Sequence, residues 1–190
     1  MKRDWWDKEF KVLFTMGESI TAGGWSSTRE RSWAFQLSKL ISEYQRVPVQ
    51  LFNIGIGANV ISTKSPGYEY SGKPAADERI EKHVLSYTAF CNNHIVPDLL
   101  IISYGLNDAR GGTPVELFCR EMEGIIDKVR SKIQPLIVLL GPYYMYGYEL
   151  GKPYWNNANP DIFLKYNNAI EKLSKELDCL FVDLLGTYRK

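Results

Sequence analysis

Histidine and cysteine are scarce in this chain, with two of the first and three of the second in 190 residues. Cys91, Cys119 and Cys179 are odd in number, widely spaced and each set in an apolar stretch, and no Cys-x-x-Cys occurs. That pattern argues against a zinc site and against a disulfide framework, leaving three buried free thiols as the expectation. Neither a metal nor an organic cofactor is implied. Excess charge of one sign is missing as well. The 23 Lys and Arg nearly cancel the 22 Asp and Glu, and no stretch gathers basic side chains into a phosphate-binding stripe, so nucleic acid does not fit as a partner. Long apolar runs are absent: nothing approaches the roughly 18 residues of a membrane span. The opening Met1–Asp7 (MKRDWWD) carries no apolar segment behind its basic residues of the kind that directs export. A soluble protein of the cytoplasm is the expectation, with its oligomeric state left open.

What is present is enough apolar material for a core. Hydrophobic residues make up 45% and aromatic residues 13% of the sequence, which suits one domain over 1–190. Short, nearly continuous apolar runs at 11–16 (KVLFTM), 49–53 (VQLFN), 98–104 (DLLIISY), 136–140 (LIVLL) and 179–184 (CLFVDL) read as strands covered on both faces. Between them lie segments of helical period. Trp33, Leu37, Leu40, Ile41 and Tyr44 form one stripe, ended by Pro48; Ile80, Val84, Tyr87 and Cys91 form a second. Thr113-Pro114-Val115-Glu116 predicts a capping box with Thr113 as N-cap, ahead of Val115, Phe118, Met122, Ile125, Ile126 and Val129. A fourth helix follows Pro160-Asp161, with Tyr166, Ile170, Leu173 and Leu177 on one side. Strand and helix alternate five times, which predicts an α/β protein with a five-stranded parallel sheet, helices on both faces and right-handed crossovers. The long irregular stretch 141–160 after the fourth strand is of a length usually reserved for function.

Ligands of an open parallel sheet bind beyond the carboxyl ends of its strands. After the first strand stands Gly17-Glu18-Ser19-Ile20-Thr21, after the second Asn53-Ile54-Gly55-Ile56-Gly57-Ala58-Asn59, and after the third Gly105-Leu106-Asn107-Asp108. A hydroxyl, backbone-exposing small residues and a carboxamide therefore meet at one edge. That set suits acyl transfer, with a serine to attack a carbonyl and N–H donors to hold the oxyanion, each donor contributing about 3 to 4 kcal/mol. Taken singly, Ser19 reads as well as an N-cap and Asn107 as a turn residue; their joint occurrence after consecutive strands favours the site. Gly55-x-Gly57 is a poor dinucleotide motif, since Val60 replaces the third glycine and the motif follows the second strand.

These three segments, in this order, resemble the first three sequence blocks of the SGNH/GDSL hydrolases, over nearly the whole chain. Gly17-Glu18-Ser19-Ile20 is similar to the family's Gly-Asp-Ser-Leu block, Asn53–Asn59 to its second block and Gly105-Leu106-Asn107-Asp108 to its Gly-x-Asn-Asp block. The resemblance implies a flavodoxin-like three-layer α/β/α sandwich. It also implies Ser19 as nucleophile, Asn107 as an oxyanion donor and a backbone N–H from the second block as another. Glu18 stands where the family has Asp. The family's second-block glycine falls on Ala58, with Gly57 just before it, so both are named; an alanine serves provided its φ is not positive.

The family's Asp-x-x-His block is not found before Lys190, which follows Asp183 by seven residues. Asp183 reads as a strand-terminal Asp. His83, beside an apolar stripe, and His94, ahead of the third strand, read as structural, because a base must reach the serine hydroxyl at roughly 3 Å. The missing pair is expected beyond Lys190. Aromatic side chains crowd the candidate rim: Trp25 after the nucleophile segment, and Tyr143, Tyr144, Tyr146, Tyr148, Tyr154 and Trp155 after the fourth strand. Glu18, Trp25, Asn59, Asp108, Tyr143 and Tyr144 are the candidate substrate contacts. Flat amphipathic faces suit a sugar ring as well as an acyl chain, so the expected partner is a small-molecule ester, an acetylated carbohydrate among the candidates. The competing class is a carbohydrate-binding or interaction domain that keeps the pocket without the base.

Overall fold

The five apolar runs form five parallel strands: β1 (Val12–Gly17), β2 (Gln50–Asn53), β3 (Leu99–Ser103), β4 (Leu136–Leu140) and β5 (Leu180–Val182). They are seen in a computed structural model that describes residues 9–88, 93–145 and 153–188. Cys91, Tyr146 and Tyr148 lie outside the described residues. The strands pair in the order β2-β1-β3-β4-β5, the flavodoxin-like order, whose connections reverse direction between β1 and β3. Phe14 of β1 stands opposite Phe52 on one side and Leu100 on the other.

Alternate strand side chains point to opposite faces, so the continuous apolar runs feed two cores. Phe14, Met16, Leu100, Ile102, Ile137 and Leu139 join the larger core, and Leu13, Leu99, Ile101, Val138 and Leu140 the smaller. Helix α1 (Trp33–Tyr44) covers the smaller core with Trp33, Leu37 and Ile41, helped by Leu184 of α7 (Leu184–Tyr188). Helices α3 (Ala76–Ile80), α5 (Val115–Arg130) and α6 (Pro160–Glu176) cover the larger. Phe118, Met122, Ile125, Ile126 and Val129 of α5 are all buried, as their spacing predicts. Phe118 meets Tyr166 of α6 with ring centroids 4.9 Å apart, and the Tyr166 hydroxyl donates to the Thr113 carbonyl at 2.5 Å. Two short helices, α2 (Tyr68–Ser71) and α4 (Leu106–Gly111), are not legible as periodic segments.

Several local expectations are corrected. Thr113 does not cap α5: Pro114 occupies the N-cap position, no side-chain cap bond forms, and the Thr113 hydroxyl donates to Asp108 Oδ1 at 3.1 Å. A buried carboxylate is the better acceptor and takes the hydroxyl from the helix end. The second apolar stripe does not run on as one α-helix. Past α3 the chain widens into a π-helical turn, Glu81–Leu85, closed by the Ser86 N–H on the Glu81 carbonyl at 2.8 Å. Ile80 and Val84 are buried as expected, and Tyr87 packs edge-on against Phe14 and Phe52. The thiols of Cys119 and Cys179 are free but only half-buried, and that burial raises the pKa of both.

Phe118 has no exposed surface and bridges α5 to α6. Phe118→Ala is expected to cost about 3 to 5 kcal/mol of folding stability, read as the shift of the urea midpoint.

Candidate active site

Ser19, Gly57 and Asn107 come from the segments after β1, β2 and β3, and the reversal of strand order between β1 and β3 opens the sheet edge where they meet. The turn after β1 is built by its own backbone. Ala22 N–H bonds the Glu18 carbonyl at 3.0 Å, Gly23 that of Ile20 at 3.1 Å and Gly24 that of Ser19 at 2.7 Å, which leaves Ser19 half-buried at the head of the turn. Gly17 is required, because a Cβ there would collide with the Thr21 hydroxyl and the Ser103 carbonyl.

The second segment is laid directly on this turn. Asn53 Nδ2 donates to the Thr21 carbonyl at 2.6 Å, and Asn53 Oδ1 accepts the Gly55 N–H at 3.0 Å. A Cβ on Gly55 would run into the backbone of Thr21 and Ala22. Farther along, a Cβ on Gly57 would lie 3.8 Å from Ser19 Cβ and equally far from Lys73 Nζ, and Lys73 Nζ donates to the Gly57 carbonyl at 2.8 Å. Ala58 adopts a φ of 57°. The condition set on alanine at this position is therefore not met, and Ala58 is held in the left-handed region that glycine prefers.

Asn107 and Asp108 lie on the first turn of α4, which opens straight from β3 through Gly105 at a φ of 121°. The Asn107 side chain is 3% exposed and spends one amide hydrogen on the Asn59 carbonyl at 3.0 Å, leaving the other for a ligand. Its backbone is fixed by Glu18, whose Oε1 accepts the N–H of Asn107 at 2.9 Å and of Gly105 at 3.2 Å.

Glu18, Asn59 and Asp108 are corrected from substrate contacts to supports of the site. Each is at most 3% exposed and holds neighbouring groups inside the protein. Asn59 Oδ1 accepts from Arg79 Nη1 and from the Tyr104 hydroxyl, both at 2.7 Å, and its Nδ2 donates to the Pro74 carbonyl at 2.6 Å. Asp108 accepts from the Ile61 N–H at 3.0 Å, the Ser65 hydroxyl at 2.9 Å and the Thr113 hydroxyl. Burial pushes Asp108 up to about 7, and the donors from Ser65, Thr113 and Ile61 pull it only partly back. Burial first, and the Asp108 charge second, hold Glu18 well above the usual carboxylate range. Arg79 was not anticipated from the sequence; its one signal is a charge directly beside the apolar stripe, four residues ahead of His83.

The rim is unevenly filled. Trp25 is 92% exposed with a φ of 69°, just past the turn that Ser19 heads. Tyr144 is exposed, while Tyr143 is half-buried with its hydroxyl 3.4 Å from Ser103 Oγ. Tyr154 stacks on Tyr70, centroids 4.1 Å apart, and Trp155 packs so close to Gly67 that a Cβ there would touch its ring. Among the described residues no hydrogen bond joins Ser19 to a histidine: His83 Nδ1 accepts from Arg79 Nε at 3.2 Å, and His94 Nε2 lies 2.6 Å from the Leu85 carbonyl. Asp183 accepts the Gly186 N–H at 2.7 Å and serves the start of α7. Among the described residues no group of His, Cys, Asp and Glu is arranged to hold a metal, and no helix is long and apolar enough to cross a membrane.

The family model described as GDSL-like Lipase/Acylhydrolase matches residues 15–190, and the chain belongs to that family, which makes it an ester hydrolase of the SGNH type. Its fold is shared with AlinE4, an SGNH-hydrolase family esterase, at a TM-score of 0.65 and 19% identity over 95% of this chain and 79% of that one. A catalytic mutant of Axe2, an acetylxylan esterase from Geobacillus stearothermophilus, aligns at 0.63 and 18% over 91% and 75%. The aryl esterase of M. smegmatis aligns at 0.71 and 13% over 91% and 83%. A search of curated proteins by sequence found no match.

The raised carboxyl of Asp108 carries a signature in stability. Between its ordinary 3.8 and about 7 the folded protein holds a proton that the unfolded chain releases, so stability is highest at the acid end of that window and falls as pH rises through it. Thermal denaturation at about pH 5 should give a higher midpoint than at about pH 8, and Asp108→Asn should reduce the difference to the share that buried Glu18 contributes. An Asp108→Asn chain that keeps the full pH dependence would place its origin elsewhere.

Proposed function

We propose that the chain hydrolyses a small acyl ester through an acyl-enzyme on Ser19. The observation that carries this reading is the closeness of the second-block backbone to the serine, since a Cβ on Gly57 would stand 3.8 Å from Ser19 Cβ. A carbonyl presented to Ser19 Oγ would then meet the second-block backbone, to which the Asn107 amide is joined through the Asn59 carbonyl. Ser19 Oγ attacks the carbonyl carbon and its proton passes to a base. The carbonyl oxygen becomes the oxyanion, held by the N–H groups of Ser19 and of Gly57 or Ala58 and by Asn107 Nδ2. Collapse breaks the ester bond, the alcohol leaves with the proton, and water repeats the sequence on the acyl-enzyme to release the acid and restore Ser19. The base in this scheme is a histidine, the side chain that most often takes such a proton.

We read the substrate as an acetylated carbohydrate, with the sugar as its alcohol side. Trp25 offers an almost wholly exposed indole next to the Ser19 turn, and the Tyr70–Tyr154 stack offers a second flat surface, about half exposed. Rings of this kind bind sugar faces by stacking and apolar contact. The Axe2 name makes acetylxylan one substrate to try. The alternative, a binding domain that keeps the pocket, draws on one observation: the Nδ1 of His83 is already occupied by Arg79.

Ser19→Ala is expected to abolish turnover of an activated acetyl ester, by about 10³-fold or more, when assayed beside the parent chain across about pH 6 to 9. Equal rates for the two chains would reject the acyl-enzyme and favour the binding reading. Trp25→Ala should raise KM for an acetylated oligosaccharide by about tenfold and leave kcat/KM for a small activated ester unchanged. A loss on both substrates would remove Trp25 from sugar binding.

A further inference from the structure

Arg79 is 2% exposed, a burial that a guanidinium ordinarily undergoes against a carboxylate. Here the four groups accepting its N–H bonds are all uncharged. Nη1 donates to Asn59 Oδ1 at 2.7 Å and to the Tyr104 hydroxyl at 3.0 Å, Nε donates to His83 Nδ1 at 3.2 Å, and Nη2 to the Ile54 carbonyl. Ion pairing therefore does not account for its place in the interior.

Two of these acceptors are the feet of one loop. Ile54 is the first residue past β2, and Asn59 is the last before the buried pair Val60 and Ile61. Gly55, Ile56, Gly57 and Ala58 lie between. A planar fork with donors pointing in several directions fixes the spacing of the two feet in a way a single ammonium cannot. The second foot carries the constraint onward, because the Asn59 carbonyl accepts from Asn107 Nδ2 at 3.0 Å. His83 steadies the fork from behind; by accepting on Nδ1 its ring is neutral with the proton on Nε2. The left-handed backbone of Ala58, unfavourable for any residue with a Cβ, lies inside the span and is held there by its ends.

We propose that Arg79 is a positioning residue for ester hydrolysis: by bridging Ile54 and Asn59 it holds the Gly57–Ala58 backbone and the Asn107 amide where the oxyanion forms. The proposal rests on Ser19 as the nucleophile, and its test keeps the two ideas apart. The 190-residue chain is compared with Arg79→Met, Arg79→Lys and Tyr104→Phe, the last removing the hydroxyl's two bonds, from Arg79 and to Asn59, while leaving the cation in place. Amide hydrogen exchange on peptides covering 54–61 and 105–109 reads the loop without turnover, and hydrolysis of an activated acetyl ester reads catalysis.

Arg79→Met should speed exchange in those peptides by about tenfold or more while β1, β3 and β4 keep their protection. It should lower kcat by about 10²-fold with KM within about threefold. Arg79→Lys should recover part of both, and Tyr104→Phe should show a smaller change of the same kind. Exchange that rises evenly through every strand in both arginine variants would make Arg79 a general stabiliser and overturn the proposal. So would unchanged exchange at 54–61, or a loosened loop with kcat intact. If the parent chain shows no Ser19-dependent turnover, that failure belongs to the reading of Ser19, and the exchange pattern alone then upholds or overturns the clamp.

Discussion

The carboxylate of Glu18 ties the end of β1 to the end of β3. One oxygen accepts the N–H of both Gly105 and Asn107, at the point where the strand order reverses and the sheet opens. A carboxylate in that position is expensive, since burial and the neighbouring Asp108 both disfavour its ionised form. Its return is geometric: the serine immediately after it and the asparagine it holds are set on one frame. Without that tie Gly105 and Asn107 would each leave a buried N–H unsatisfied, a cost of about 1 to 3 kcal/mol apiece.

Around this tie the three segments interlock through close backbone contact. Gly17 lets Thr21 and the Ser103 carbonyl approach β1, and Gly55 lets the second segment lie on the Thr21–Ala22 backbone. Asn53 then stitches the same two stretches with its amide. Asp108 gathers Ile61, Ser65 and Thr113 on the far side of α4. The three segments thus form one edge in which displacement of one is felt by the other two, the arrangement that preorganised donors would need.

Strands and long helices were legible because burial on both faces writes itself as continuous apolar runs, and one-sided burial as stripes of helical period. The run 136–140 and the stripe Phe118–Val129 are found where the pattern puts them. Ser19, Gly57 and Asn107 became candidates by their place after successive strands, and the fold brings those three segments to one edge of the sheet. What escaped detection depends on contacts between distant segments. Nothing local tells Thr113 to give up its helix for Asp108, Glu18 to face inward, or Arg79 to be buried against Asn59. Helix α4 was hidden because six residues, fewer than two turns, are too few to show a period. The π-helical turn was hidden because one extra residue per turn leaves Ile80 and Val84 on the same face.

A peptide unit is planar and trans, so its carbonyl and its N–H point in opposite directions. Lys73 Nζ sits on the Gly57 carbonyl, and the N–H at the other end of that unit belongs to Ala58. The ammonium therefore draws electron density along the unit and makes the Ala58 N–H a stronger donor than a neutral contact would. Lys73 itself is exposed to solvent, where dissolved ions screen its charge over about 10 Å at ordinary salt. At 2.8 Å the contact lies well inside that length, so the polarity of one bond at the inner edge of the site is set by a side chain standing in solvent and survives ordinary salt.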